Sequence, residues 1–187
     1  MPKCKEIANE VLHAQIYDVM EKYHLELHEA EVKVTAFLVS EVTKTGEKIR
    51  DHALKLHGQP CVATIRKANQ REMKLGSGDL IMEIDEHSWY SDDEDLDTAT
   101  KISILDHELE HVNIKKDKEG AIVLTPDNRP ALKLKYHDAE IGIFFDIIKR
   151  HGKTSMDFQT SNRLLLDIRE VLDDRKREAD KAEENEE

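Results

Sequence analysis

Apolar residues recur at intervals of three and four through residues 96–112, where Leu96, Ala99, Ile102, Leu105, Leu109 and Val112 trace one stripe. That spacing predicts an amphipathic helix with one buried face. Residues 4–23 carry Ile7, Val11, Ile16, Val19 and Met20 among polar positions and predict a first helix of the same kind. Between the two helices the period changes. Residues 32–39 (VKVTAFLV) are rich in β-branched and aromatic side chains, and residues 59–68 alternate Cys61, Ala63 and Ile65 against Val62, Thr64 and Arg66, so both predict strands. Residues 79–85 (DLIMEID) predict another, with Leu80, Met82 and Ile84 on one face and Ile81 on the other. Residues 48–57 read as a helix closed by Gly58.

After the long helix, a charged turn at 117–120 and the apolar run 121–124 predict a hairpin, and 126–130 (PDNRP) a loop. Leu132, Leu134 and Tyr136 then alternate with lysines in a short strand that delivers His137 to the start of a further helix, 138–150. That helix has Ile141, Phe144, Phe145 and Ile148 on its buried face and stops at Gly152. Leu164, Leu165, Ile168, Val171 and Leu172 predict one last amphipathic helix, which runs into an acidic tail too poor in apolar residues to pack. The fold class is therefore α+β, a small mixed sheet packed on the helix over 98–114. An N-terminal helical extension (1–30) precedes the central domain (31–152), and a C-terminal helix with an acidic disordered tail (153–187) follows it.

The chain has 187 residues and 39% hydrophobic content, enough for one core of ordinary size. A net charge of −12 with 36% charged residues argues against broad contact with phosphate backbones, so nucleic acid is not an expected partner. Cys4 and Cys61 are too few and too far apart for a disulfide framework or a cysteine metal site, and they point to a reducing compartment. No apolar run approaches the roughly 18 residues of a membrane span, and the N-terminus lacks the apolar core of a signal peptide. A cytoplasmic protein without a membrane partner is expected.

The long helix also carries chemistry, because His107, Glu108 and His111 form an H-E-x-x-H motif within it. Side chains four apart on a helix lie one above the other, which aims two imidazoles at one point in space. Zinc suits such a pair, and Glu108 between them is placed to take a proton from a zinc-activated water. The ordinary alternative is two solvent-facing histidines. A catalytic zinc takes three protein ligands, and His137 at its strand-to-helix junction is the candidate third, with Asp138 and Glu140 as nearby alternatives. Asp138 is also a candidate to orient a ligand imidazole. Tyr136 and Tyr90 are candidate donors to the oxyanion of the transition state. The acidic run 91–97 (SDDEDLD) lacks the glycine-containing pattern of a calcium loop and reads as helix capping. His52 and His57 read as surface or helix-end residues, and His151 as a helix cap.

The runs DLIMEIDEHSWY, ISILDHELEHV and LKYHDAEIGIFFDIIKRHG resemble the phage metallopeptidase family, a zincin group similar to the SprT-like metalloproteases. The resemblance spans about residues 32–152. It implies a zincin-like fold, zinc held by His107 and His111 with a downstream histidine in the His137-Asp138 pair, and Glu108 as the catalytic acid and base. In zincins the strand before the active-site helix commonly forms an edge for an extended substrate, which makes 79–85 the candidate edge here.

The expectation is thus a zinc-dependent metalloendopeptidase, phage-encoded and at work in the host cytoplasm, with a protein or peptide substrate. Two other readings use different features. A zinc-stabilised interaction protein would need the metal but not Glu108. An acidic DNA mimic would use the −12 charge to occupy a basic groove on a host defence or regulatory protein, although 28 Lys and Arg interrupt its acidic surface.

Overall fold

The computed structural model describes residues 2–49, 51–56, 58–90 and 96–135, and beyond them 153, 159, 162–166, 168–169, 171–173, 175 and 177. The chain divides into two units, Met1–Tyr136 and His137–Glu187. In the second, residues 162–166, 168–169 and 171–173 are helical, in keeping with the last predicted helix.

The first unit is a mixed α+β structure built on a four-stranded sheet. Its order is β1 (Lys3–Ile7), β2 (Val34–Glu41), β6 (Leu80–Asp85) and β5 (Ala63–Lys67). β2 and β6 run parallel, and the two outer strands pair antiparallel to them. The hydrophobic alternation sets the layers. Val34 and Ala36 on β2 share a face with Leu80, Met82 and Ile84 on β6, and all five are buried. Against them pack Leu12, Ile16 and Met20 of α1 (Glu10–Tyr23) and Leu105 and Leu109 of α5 (Thr98–Glu110). Sheet and two helices therefore share one core, which holds α5 in place along the sheet.

Smaller elements complete the unit. α2 (Leu25–Glu29) follows α1, the two-residue strands β3 (Lys55–Leu56) and β4 (Gln59–Pro60) pair with each other, and α3 (Gln70–Lys74) leads into β6. α4 (Glu86–Tyr90) follows β6 directly, and β7 (Val112–Ile114) pairs antiparallel with β8 (Leu132–Leu134) after α5. Residues 115–131 extend that hairpin, as the main-chain bonds Lys115 N–H to Ala131 O and Val123 N–H to Lys115 O show. The tip is anchored by Arg129, whose guanidinium binds the Asp79 carboxylate at 2.5 and 3.0 Å and the Glu31 carbonyl at 2.6 Å. Gly78 beside it has φ +70°, and a Cβ there would stand 2.7 Å from Lys33 O, so the close approach of the two backbones requires glycine.

Three sequence expectations are corrected. The first helix does not begin at residue 4, because residues 3–7 pair with β2, from Lys3 opposite Glu41 to Ile7 opposite Phe37. Asn9 starts the helix behind them by accepting the Leu12 N–H at 2.9 Å. Residues 48–57 form no helix over their described part. The main-chain N–H groups of Ala53 and Leu54 instead bind the fully buried Asp85 carboxylate at 2.6 and 2.9 Å, donors that a helix would spend on its own carbonyls. Finally, residues 79–85 are not an edge, since β6 lies between β2 and β5. Burial of Leu80, Ile81, Met82 and Ile84 covers both of its faces, as a central strand requires. The open edge on that side belongs to β5.

Among the described residues, no helix is long and apolar enough to cross a membrane.

Candidate metal centre

α5 begins where Asp97 accepts the Thr100 N–H at 2.6 Å, which bears out the capping role of that acidic residue; residues 91–95 lie outside the described part. The helix then carries its chemistry at the other end. His107 stands in the last turn and His111 is the C-cap, still with helical dihedrals (φ −66°, ψ −13°). Their ring centres are 5.1 Å apart with planes at 89°. Two imidazoles bound tetrahedrally to one zinc at ~2.1 Å would have ring centres roughly 5 Å apart, so this separation fits a shared ion.

The C-cap position gives His111 a second role in the chain. Its main-chain carbonyl accepts the Lys135 N–H at 2.8 Å, and its Nδ1 lies 2.9 Å from the Lys135 carbonyl oxygen. A carbonyl only accepts, so Nδ1 carries the hydrogen and Nε2 carries the ring's lone pair. Metal-binding imidazoles are commonly oriented in this way. Lys135 Nζ also pairs with the Glu110 carboxylate.

Glu108 sits between the imidazoles in sequence and is 8% exposed. Burial pushes its carboxyl up to about 7, opposed by the electrostatic influence of the nearby His111 and by a hydrogen bond from the Ile65 main chain. The register explains how Ile65 reaches it. Asp85 N–H binds Val62 O at 2.8 Å and Ala68 N–H binds Asp79 O at 2.9 Å, so the even-numbered residues of this strand bond to β6. The amides of Ala63, Ile65 and Lys67 therefore point outward from the sheet edge, that of Ile65 toward Glu108.

Other titratable groups gather nearby. Burial raises the Cys61 thiol, and the Glu108 and Asp85 carboxylates raise it further, so at neutral pH it stays a thiol. Asp85 accepts Ser88 N–H and Oγ–H at 2.9 Å each, and His52 Nδ1 is 3.0 Å from Ser88 Oγ. His52 thus takes part in the packing around Asp85, with its ring 5.4 Å from that of His87. On the far side of α5, His24 Nε2 is 2.7 Å from Asp106 Oδ1.

The structure brings His107, Glu108 and His111 together at one end of α5. Tyr90 closes α4, half exposed, with Lys101 Nζ of the first turn of α5 5.9 Å from its ring centre, at the other end of α5 from the motif. Tyr136, His137, Asp138, Glu140 and His151 lie outside the described residues, as do His57 and the helix expected over 138–150. Among the described residues, no group of three His, Cys, Asp or Glu side chains is arranged to hold a metal. Sequence reasoning missed Lys135 and Ile65. Both act through the main chain, which leaves no mark on residue type.

Two imidazoles one helical turn apart, with a buried carboxyl next to the first in sequence, are what an H-E-x-x-H motif places on a helix, here beside the outer strand β5. The chain belongs to the family described as Putative phage metallopeptidase, whose model matches residues 3–169. That match takes in β1 and α1 as well as the motif helix. No curated protein and no solved structure matches the chain.

Proposed function

We propose that the chain is a zinc-dependent endopeptidase of zincin-like fold, phage-encoded and acting on a protein or peptide in the host cytoplasm. The observation that carries this reading is the end of one helix, where the His107 and His111 rings stand 5.1 Å apart beside the buried carboxyl of Glu108. A group that exchanges its proton near neutral pH serves both as general base and as general acid. Family membership supports the metal and the peptide substrate.

His107 and His111 would hold the zinc, with His137 the proposed third ligand and Asp138 or Glu140 its alternatives; Asp138 is otherwise a partner for a ligand imidazole. When bound, zinc supplies a Lewis acid that polarises water and the scissile carbonyl. Glu108 takes a proton from the attacking water as its oxygen bonds to the carbonyl carbon. It passes that proton to the nitrogen as the C–N bond breaks, leaving a carboxylic acid and an amine. Tyr136 is proposed to donate to the oxyanion in preference to Tyr90, whose ring lies by Lys101 in the first turn of α5. The outward amides of Ala63 and Lys67, on either side of the Ile65 amide that Glu108 engages, are proposed to pair with an extended substrate, which moves the proposed substrate edge from β6 to β5.

The test is Glu108→Gln. The variant should fold, bind zinc as the wild type does and lose activity on an unfolded protein substrate by about 100-fold or more. Full activity with zinc bound would overturn the assignment.

A further inference from the structure

We infer that Lys135 is a positioning residue that sets the His111 imidazole in its metal-binding form before any metal arrives; this rests on the peptidase reading above. Lys135 meets the end of α5 at three points. Its N–H donates to His111 O at 2.8 Å, its carbonyl accepts from His111 Nδ1 at 2.9 Å, and its ammonium pairs with Glu110, the residue before His111. The two main-chain bonds close on the same residue, one on its backbone and one on its ring. Rotating the imidazole about either side-chain torsion breaks the second bond while the first holds the backbone still.

The hairpin fixes Lys135 in turn. Val112 pairs with Leu134 and Ile114 with Leu132, so the residue after β8 is delivered opposite the residue before β7, and Val112 and Leu132 are buried. The ion pair adds little by itself, because the Glu110 side chain is 62% exposed and solvent screens it. The main chain of Lys135, not its ammonium, therefore supplies its hold on the His111 ring. A ligand that is already oriented loses less freedom on binding, and removing such an outer partner commonly weakens metal affinity about 10–100-fold.

Nitrogen-15 NMR of the metal-free full-length chain tests this, together with zinc affinity measured by competition with a chromophoric chelator. The His111 ring should show the Nδ1–H tautomer in wild type without metal. Lys135→Ala keeps both main-chain bonds and should keep that tautomer, with zinc affinity within about 5-fold of wild type. Lys135→Pro deletes the N–H donor and should lose the tautomer bias and about 10-fold or more in affinity. A His111 that is Nε2–H or a mixture of tautomers in the metal-free wild type overturns the inference, and that spectrum decides even if the proline variant does not fold. A folded Lys135→Pro with wild-type affinity overturns it as well. Wild type with the Nδ1–H tautomer that binds no zinc would instead overturn the peptidase reading, and with it the metal role of Lys135.

Discussion

His24 Nε2 stands 2.7 Å from Asp106 Oδ1, and this bond ties the end of α1 to the motif helix one residue before its first imidazole. His24 is the C-cap of α1, its side chain is 8% exposed, and its Nδ1 lies 3.7 Å from Glu110 Oε2. Asp106 stays within reach of solvent, so replacing His24 by Ala leaves no carboxylate stranded. His24→Ala should lower stability by about 1–2 kcal/mol through the lost bond and packing, which for a chain of this size lowers Tm by roughly 2–8 °C. Thermal unfolding of the metal-free protein measures it. An unchanged Tm would mean that α1 and α5 are held by their apolar contacts alone.

Glu108 makes stability depend on pH in a direction that follows from its raised pKa. The folded protein prefers the protonated carboxyl, so the favourable contribution is present below the ordinary value of 4.5 and is lost as pH rises toward about 7. Above 7 the folded state carries a buried charge. Glu108→Gln removes that ionisation, so the variant should gain stability relative to metal-free wild type at pH 8, by about 3 kcal/mol compared with the difference at pH 4. Denaturant titrations at the two pH values give the comparison. Equal differences at both would show that the carboxyl is not raised. A cation beside Glu108 favours its charged form, so the acid limb of catalytic activity should fall below 7.

Asp85 accepts four hydrogen bonds while fully buried, from the amides of Ala53, Leu54 and Ser88 and from the Ser88 hydroxyl. Asp85→Asn keeps the shape but turns an NH2 group toward at least one of these donors. A loss of about 3 kcal/mol or more is expected, with protease cleavage appearing first in residues 48–57, where two of the donors reside. Limited proteolysis followed by mass spectrometry locates the cuts. Cleavage elsewhere first would mean that Asp85 does not organise that segment.

These sites differ in how much of them could be read from residue types. The motif helix was legible because Leu105 and Leu109 keep a helical interval beside His107 and His111, so one pattern carries both burial and chemistry. β6 was legible as a strand, and its place inside the sheet was written in the adjacent Leu80, Ile81 and Met82, which leave neither face polar. Strand β1 was hidden because its five residues precede a longer apolar period that swallowed them, although Asn9 was a capping signal. The segment 48–57 misled because its extended course depends on Asp85, more than 25 residues away. Lys135 and Ile65 serve the site through backbone atoms, and backbone atoms are the same in every residue.

The outer strand β5 gives a prediction that separates substrate alignment from folding. Arg66 lies opposite Ile81 and its amide bonds to β6, whereas the amide of Lys67 points outward, as the alternation set by Val62 and Ala68 requires. Proline removes the N–H at either position. Arg66→Pro deletes a ladder bond inside the sheet and should destabilise the protein by about 3 kcal/mol or more. Lys67→Pro leaves the ladder intact, so the fold and zinc binding should survive. If an extended substrate pairs with β5, however, Lys67→Pro should raise KM several-fold with kcat little changed, since the missing bond positions the substrate without touching the reacting carbonyl. Steady-state kinetics on a peptide substrate reads the split. Unaltered KM in a folded Lys67→Pro would place the substrate away from this edge, and a fall in kcat alone would point to a disturbance of Glu108 through Ile65, two residues along the same strand.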